Sequence, residues 1–219
     1  MQKKIAVIND LSGYGRCSLT VAIPVLSVMG HQCCPVPTAI LSNHTEFPVY
    51  FFDDYTEKMT AYTDKWKELG LSFDAVATGF LGSEAQIETV MDMIRKLESE
   101  ETFVVVDPVM GDHGHAYETY TPEMCEQMKE LVCMADIVLP NVTECCILTD
   151  TPYKKENWTR RELLNMAMML RLMGAKSVVI TGVREGSYYT NVVLERGQME
   201  AKFIRTRSSG GERPGTGDV

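Results

Sequence analysis

The stretch Phe103-Val-Val-Val-Asp-Pro-Val-Met-Gly-Asp112 carries the pattern that decides the fold, because a short apolar run ends abruptly in polar and turn-forming residues. Runs of this length and composition are typical of β-strands. The same pattern recurs along the chain. The other apolar runs are Ile5–Ile8, Ala75–Ala77, Ile137–Leu139 and Val178–Ile180.

Segments of helical length and spacing lie between these runs. They are Gly15–Met29, Asp54–Leu69, Ser83–Leu97, Pro122–Met134 and Thr159–Met173. Strands that alternate with helices predict parallel βαβ units and therefore an α/β fold. Later in the chain, Ser187–Glu195 and Met199–Arg205 flank a turn at Gly197, which predicts an antiparallel hairpin at one edge of the sheet.

Size and composition limit the classes of function. The chain has 219 residues, 45% of them apolar, enough for one α/β domain with a large core. A formal net charge of -9 disfavours nucleic acid and anionic membranes as partners. Seven cysteines without a C-x-x-C spacing indicate reduced thiols, and the first apolar run is too short for a signal peptide. We therefore expect a cytoplasmic protein.

The residues that follow each apolar run are polar or small. These segments are Asn9–Gly15, Thr78–Gly82, Asp107–Asp112, Pro140–Glu144 and Thr181-Gly182. In open α/β sheets, ligands bind beyond the carboxyl ends of the strands. We expect the five segments to contribute to one ligand-binding rim.

The segment Gly215-Thr216-Gly217-Asp218 contains chemical groups that are suited to phosphoryl transfer. Its glycines allow backbone N–H groups to approach an anion, and a helix that began there would add a favourable field. Asp218 could accept the proton of a hydroxyl that attacks the γ-phosphate. Taken alone, the segment is more typical of a surface turn that ends in a helix-capping Asp.

Asp107 and Glu144 each follow an apolar run, so both can face the same rim. Mg²⁺ bound to phosphates needs one or two carboxylates, directly or through water. The alternative is structural: a turn residue before Pro108 and an acidic residue in the first turn of a helix. His113 and His115 lack a third ligand at a suitable spacing, so we predict no metal site there.

Ser42-Asn43-His44-Thr45 offers hydroxyl, amide and imidazole groups within four residues. Such groups could hydrogen-bond a polar aromatic substrate. A turn that hydrogen-bonds its own backbone remains the alternative.

Taken in order, six motifs resemble those of the ribokinase-like superfamily, and within it the pyridoxal kinase branch. The motifs are the first-strand SGYG, SNHT, TGFLGS, DPVMGD, LPNVTE and RPGTGD. The resemblance runs from about Ile5 to the last residue. Hydroxymethylpyrimidine (phosphate) kinases share the glycine-rich start and the final GTGD, so that activity, or a dual activity, stays open; SNHT favours the pyridoxal branch.

The resemblance implies a three-layer α/β/α sandwich with a mostly parallel central sheet, in a single kinase domain over residues 1–219. It implies ATP and Mg²⁺ as cosubstrates, and it leaves a monovalent-cation requirement open. The implied reaction transfers the γ-phosphoryl group to the 5′-hydroxyl of pyridoxal, pyridoxine or pyridoxamine. The implied assembly is a homodimer.

The same resemblance assigns roles by position. Asp218 resembles the catalytic base. The residues that it places near ATP, its phosphates or the metal are Gly215, Thr216, Gly217, Thr181, Asp107 and Glu144, the two carboxylates holding Mg²⁺ directly or through water. The residues that it places around the vitamer are Asp10, Ser12, His44, Thr45 and Phe80.

Two departures from the family pattern matter. Asp10 stands where pyridoxal kinases commonly have Ser, with Ser12 two residues on, so either could hold the pyridine ring. Family members also continue beyond GTGD into a long helix, whereas this sequence stops at Val219. We therefore expect a kinase domain that lacks its C-terminal helices and binds ATP poorly.

Two other classes compete with a kinase. A dinucleotide-binding oxidoreductase is disfavoured because Ser18 stands where the third glycine of the fingerprint is expected. A non-catalytic protein that holds a vitamer at Ser12, Thr45 and Phe80 remains an alternative.

Overall fold

The computed structural model describes residues 2–45, 47–99 and 101–209. These residues form two compact units, residues 2–104 and residues 105–209. The segment Gly215–Asp218 lies outside the described residues.

The first unit combines four strands with three helices. In chain order these are β1 (Lys4–Tyr14), α1 (Leu19–Val28), β2 (Gln32–Asn43), β3 (Phe52–Asp54), α2 (Thr56–Glu68), β4 (Ala75–Thr78) and α3 (Glu84–Leu97). The strand order is β4-β1-β2-β3. β1 runs parallel to both β2 and β4, and the short β3 pairs antiparallel with β2.

The second unit begins within β5. Its elements are β5 (Phe103–Val106), β6 (Gly111–Asp112), β7 (His115–Ala116), α4 (Pro122–Cys133), β8 (Ile137–Val138), α5 (Val142–Leu148), α6 (Arg160–Met173), β9 (Ser177–Glu185), β10 (Tyr188–Leu194) and β11 (Lys202–Arg207). β5, β8 and β9 pair in parallel. β9, β10 and β11 pair antiparallel, which confirms the predicted edge hairpin.

Apolar periodicity explains how helix α3 packs. Ile87, Val90 and Ile94 recur at helical spacing and are fully buried, so they form one apolar face. Burial of an aliphatic side chain of this size contributes about 1.5–3 kcal/mol. The helix begins at the N-cap Ser83, whose side chain accepts a hydrogen bond from the backbone N–H of Gln86.

The first strand is longer than the sequence predicts. The sequence predicts a strand over Ile5–Ile8 that ends in a turn. The predicted turn is wrong, because β1 continues to Tyr14, which pairs with Asn43 of β2. The pairing shifts register between Asn9 and Leu11, so the polar segment is accommodated within the strand by a local irregularity. The polar end of β1 therefore lies beside Ser42-Asn43.

The α/β class and the mostly parallel strand pairing are confirmed. The single kinase domain remains a prediction. None of the helices in the described part of the chain is long and apolar enough to cross a membrane.

Candidate active site

The end of β1 holds a buried pair of polar side chains. Asp10 and Ser12 are two residues apart, so they project from the same face of the strand. Asp10 is 7% exposed and Ser12 is 1% exposed. The Ser12 hydroxyl donates to Asp10 Oδ2 at 3.0 Å. The structure thus brings together two residues predicted for substrate binding.

A third predicted residue, Phe80, is tied to the same pair through Asn9. The Asn9 side-chain oxygen accepts hydrogen bonds from the backbone N–H groups of Asp10 and Phe80, both at 2.9 Å. Gly79 makes this approach possible, because a Cβ there would lie 2.3 Å from Asn9 Nδ2. The buried side-chain amide of Asn9 therefore holds the backbone of both Asp10 and Phe80 in place.

Phe80 is held from its carbonyl side as well. Its carbonyl accepts a hydrogen bond from Thr38 Oγ1 at 3.0 Å. The Gln86 amide donates to the Thr38 carbonyl and accepts from the Gly82 N–H. The Gln86 side chain thus holds residues 80–82 in place from the first turn of α3.

The SNHT segment lies alongside the end of β1. The backbone N–H of His44 donates to the Tyr14 carbonyl at 3.3 Å, and its ring packs 4.6 Å from the Phe47 ring. Among the described residues, His44 Nδ1 has no hydrogen-bond partner although the atom is buried. Thr45 is exposed. His44 therefore has a buried polar atom without a described partner near the end of β1.

The second unit holds the predicted carboxylates. Glu144 is 3% exposed and lies in the first turn of α5. Its Oε1 accepts from the backbone N–H of Met110 at 3.1 Å, and its Oε2 accepts from that of Asn141 at 2.7 Å. The Asn141 side chain accepts from the Glu144 N–H in return, which completes a capping box.

Glu144 and Asp107 interact electrostatically. Burial raises the pKa of Glu144 well above its ordinary value, and the negative charge of Asp107 raises it further. Hydrogen bonds from the backbone of Asn141, Met110 and Gly111 oppose both effects. Two carboxyl groups in such surroundings favour a shared proton or a cation.

Hydrogen bonds hold the β6–β7 hairpin against the start of α5. Asn141 Nδ2 donates to the Gly111 carbonyl at 2.8 Å, and the Gly114 N–H donates to Thr143 Oγ1 at 2.9 Å. A Cβ on Gly111 would lie 2.3 Å from the His115 carbonyl oxygen, so glycine is required there. The turn after β5 is therefore fixed on the residues of the LPNVTE motif.

Thr181 joins the same group of residues. Its backbone N–H donates to the Pro140 carbonyl at 2.9 Å, and it forms an isolated parallel bridge with Asn141. Thr181 thus lies at the junction between β8 and α5, where Glu144 stands in the first turn of the helix, and Asp107 is near enough to raise the pKa of Glu144.

Asp107 and Glu144 are oxygen ligands of the kind that Mg²⁺ binds, but these residues offer few free ligand atoms. No group of three or more His, Cys, Asp or Glu side chains arranged for a metal occurs within residues 2–45, 47–99 and 101–209. Both Glu144 oxygens already accept backbone hydrogen bonds. Glu144 therefore suits contact with Mg²⁺ through water. The predicted Asp218, Gly215, Thr216 and Gly217 lie outside the described residues.

A family model described as phosphomethylpyrimidine kinase matches residues 23–219. The chain belongs to this family. Pyridoxal kinase from Dictyostelium discoideum is 30% identical over 190 residues, which cover 84% of this chain and 61% of that protein. The chain thus spans about three fifths of the length of that curated relative.

Solved structures of phosphomethylpyrimidine and pyridoxal kinases are also similar to this family member. A candidate phosphomethylpyrimidine kinase from Bacteroides thetaiotaomicron, crystallised with pyridoxal, is 41% identical, with a TM-score of 0.93 over 100% of this chain and 77% of that one. Pyridoxal kinase from Lactobacillus plantarum is 29% identical, with a TM-score of 0.90 and the same coverage. The resemblance to pyridoxal kinases and the ribokinase-like α/β fold are therefore confirmed.

Three residues that organise this family member's site were not among the predicted site residues: Asn9, Thr38 and Gln86. Asn9 could have been found, because an amide directly after one apolar run and a glycine after another predict a close side-chain contact between neighbouring strand ends. Thr38 and Gln86 act through backbone groups distant in sequence, and no local pattern indicates such contacts.

Proposed function

We propose that this chain carries ATP-dependent kinase activity toward the 5′-hydroxyl of pyridoxal, pyridoxine and pyridoxamine. The observation that carries the proposal is the joint placement of Asp10 and Phe80 by the side chain of Asn9, with Ser12 hydrogen-bonded to Asp10. These are the positions where the family resemblance puts the vitamer. The crystals of the Bacteroides thetaiotaomicron relative with pyridoxal support the same substrate class.

The proposed roles divide between binding and chemistry. Asp10, Ser12, His44, Thr45 and Phe80 bind and orient the vitamer. Asp218 accepts the proton of the attacking hydroxyl, and the anion hole consists of Gly215, Thr216 and Gly217. Asp107, Glu144 and Thr181 serve the nucleotide and metal side.

Mg²⁺, when bound, neutralises charge on the transferred phosphoryl group. In the proposed site Asp107 and Glu144 would hold the ion, directly or through water. Glu144 also keeps the turn after β5 in place through its hydrogen bonds to Met110 and Asn141. A monovalent cation would suit the same group of oxygens.

Phosphorylation of hydroxymethylpyrimidine is the second candidate function. The family model and the carboxylate at Asp10 favour it. Both functions use the same proton acceptor and the same phosphate residues, so they differ only in the ring that the first unit binds.

A side-by-side assay separates the two candidates. Full-length protein is incubated with ATP and Mg²⁺ and either pyridoxal or hydroxymethylpyrimidine, and the monophosphates are quantified by mass spectrometry. We expect faster turnover of pyridoxal, and a loss of about 100-fold to 10,000-fold in the Asp218→Asn variant. Faster turnover of hydroxymethylpyrimidine would contradict the first function and support the second. Absence of product from either substrate would overturn both proposed functions.

Assembly and location belong to the same proposal. We propose a homodimer on the basis of the family resemblance, to be checked by light scattering. The odd number of cysteines without a C-x-x-C spacing supports a cytoplasmic protein.

A further inference from the structure

The buried side chain of Gln86 bonds to three separate parts of the first unit. Gln86 is 1% exposed and lies in the first turn of α3. Its Oε1 accepts a hydrogen bond from the backbone N–H of Gly82 at 2.7 Å. Its Nε2 donates to the Thr38 carbonyl of β2 and to Thr56 Oγ1 at the start of α2, both at 2.9 Å. One side chain therefore joins residues 80–82 to β2 and to α2.

The directions of these hydrogen bonds require an amide. The Gly82 N–H can only donate, and the Thr38 carbonyl can only accept. The Thr56 hydroxyl donates its one proton to the carboxylate of Asp54, so Thr56 must accept from Gln86. A primary amide supplies one acceptor and two donors, so it matches all three partners. A carboxylate or an apolar side chain would not.

The Gln86 network reaches Phe80 by two routes. The Thr38 hydroxyl donates to the Phe80 carbonyl at 3.0 Å. The Phe80 ring also lies against Gly82, because a Cβ on Gly82 would be 3.6 Å from Cε1 of the ring. A displacement of Thr38 or of Gly82 therefore moves Phe80.

We infer that Gln86 is a positioning residue for the kinase reaction, which sets the place of Phe80 and so the affinity for the substrate ring. The inference rests on the proposed function, in which Phe80 binds the vitamer. The proposed proton acceptor and phosphate residues are not members of the Gln86 network. Disruption of the network should therefore raise the KM for the vitamer and leave kcat and the KM for ATP nearly unchanged.

Gln86→Glu tests this role, because the protonation of the new side chain decides which hydrogen bonds it can make. A neutral carboxyl group can accept from the Gly82 N–H and donate to the Thr38 carbonyl, as the amide does. An ionised carboxylate would instead place an acceptor against the Thr38 carbonyl. The variant should therefore resemble the wild type only while its carboxyl group is protonated.

The surroundings of position 86 favour the protonated form. Burial raises the pKa of a glutamate, and a nearby negative charge raises it further. Asp54 supplies such a charge, since only Thr56 lies between it and Gln86. The other charged residues in β3 and at the starts of α2 and α3 are Asp53 and Lys58, which form an ion pair, and Glu57, Glu84 and Glu88. The variant should therefore ionise above the ordinary glutamate range.

Steady-state kinetics of the full-length protein with pyridoxine and ATP measure the effect. At about pH 8.5 the pyridoxine KM of Gln86→Glu should exceed that of the wild type by about 10-fold, and at about pH 6 by less than about 3-fold. At both pH values, kcat and the KM for ATP should stay within about 2-fold of the wild type. Gln198→Glu adds the same charge at an exposed position and should follow the wild type throughout.

Thr38→Val keeps the inference falsifiable if circular dichroism shows that Gln86→Glu unfolds at the higher pH. This variant removes the hydroxyl that donates to the Phe80 carbonyl, so it should raise the pyridoxine KM by about 3-fold to 10-fold at either pH. A pyridoxine KM equal to that of the wild type in both folded variants would overturn the inference and leave the proposed function standing. Equal losses in kcat and in both KM values would also overturn it, because they would show a merely structural role. Absence of pyridoxine phosphorylation by the wild type would overturn the proposed function and the inference with it.

Discussion

At the scale of single residues, Gly79 shows how a missing side chain organises a site. A Cβ at this position would lie 2.3 Å from Asn9 Nδ2 and 2.5 Å from Asn9 Cγ. Gly79→Ala should therefore displace the amide that holds Asp10 and Phe80, and overpacking of this kind costs about 1–3 kcal/mol. Urea unfolding measures the loss, and vitamer affinity should fall with it.

Gly82→Ala is the matched control for that substitution. A Cβ on Gly82 would meet Phe80 at 3.6 Å, an ordinary van der Waals contact. Its free energy of unfolding should stay close to that of the wild type. Equal losses in the two variants would show that the approach of Asn9 to Gly79 is not what matters.

The buried carboxyl of Glu144 makes stability depend on pH. Its pKa is raised by burial and by Asp107, so the folded protein keeps this proton at a pH where the unfolded chain has released it. The contribution to stability is therefore present at low pH and is lost as pH rises from the ordinary glutamate value through the raised one.

Asp107→Asn should weaken that dependence, because it removes a charge that raises the pKa of Glu144. Free energies of unfolding, measured in urea without divalent metal at several values between about pH 5 and about pH 8, should fall less in the variant than in the wild type. The control is Asp92→Asn, whose side chain is exposed beside Arg95. A slope unchanged by Asp107→Asn would count against the coupling.

At the scale of elements, two helices share a capping box but differ in what the cap supports. Asn141 caps α5 and also donates to the Gly111 carbonyl, whereas Thr159 caps the exposed start of α6. Loss of a cap costs about 1 kcal/mol. Asn141→Ala should cost more than Thr159→Ala, by about one further hydrogen bond of 0.5–1.5 kcal/mol, as measured by urea unfolding. Equal costs would mean that the contact with Gly111 contributes nothing.

The elements also show which parts of the fold the sequence could predict. Long amphipathic segments such as α3 and α6 were predicted within a residue or two, because their apolar spacing extends over several turns. Only the first turn of the seven-residue α5 was considered, as an alternative for Glu144, and the two-residue strands β6 and β7 were not predicted. They are too short to show a period, and contacts from distant residues, such as Asn141 with Gly111, hold them in place.

The candidate site was predictable to a similar degree. Strand ends indicated Asp10, Ser12 and Glu144, because a polar residue directly after an apolar run is a local signal. The bond from Ser12 to Asp10 and the contacts of Thr38 and Gln86 depend on the folded backbone, so no local pattern in the sequence indicates them.

At the scale of the whole molecule, the two compact units carry different predicted tasks. The residues proposed to bind the vitamer, Asp10, Ser12 and Phe80, belong to residues 2–104. Those proposed for the phosphates and the metal, Asp107 and Glu144, belong to residues 105–209. A ligand that binds the folded protein suppresses local opening of the segments that it contacts. Each ligand should therefore protect a different part of the chain.

Hydrogen exchange followed by mass spectrometry tests this division. Pyridoxine should slow exchange in residues 9–12 and 78–82, by up to about 100-fold at a hundredfold excess over its dissociation constant, and leave residues 107–116 unchanged. A non-hydrolysable ATP analogue with Mg²⁺ should slow residues 107–116 and 141–144. Nicotinic acid, a pyridine without the hydroxymethyl group, serves as the control ligand. Protection of 107–116 by pyridoxine alone, without protection of 9–12, would contradict the assignment of the vitamer to the end of β1.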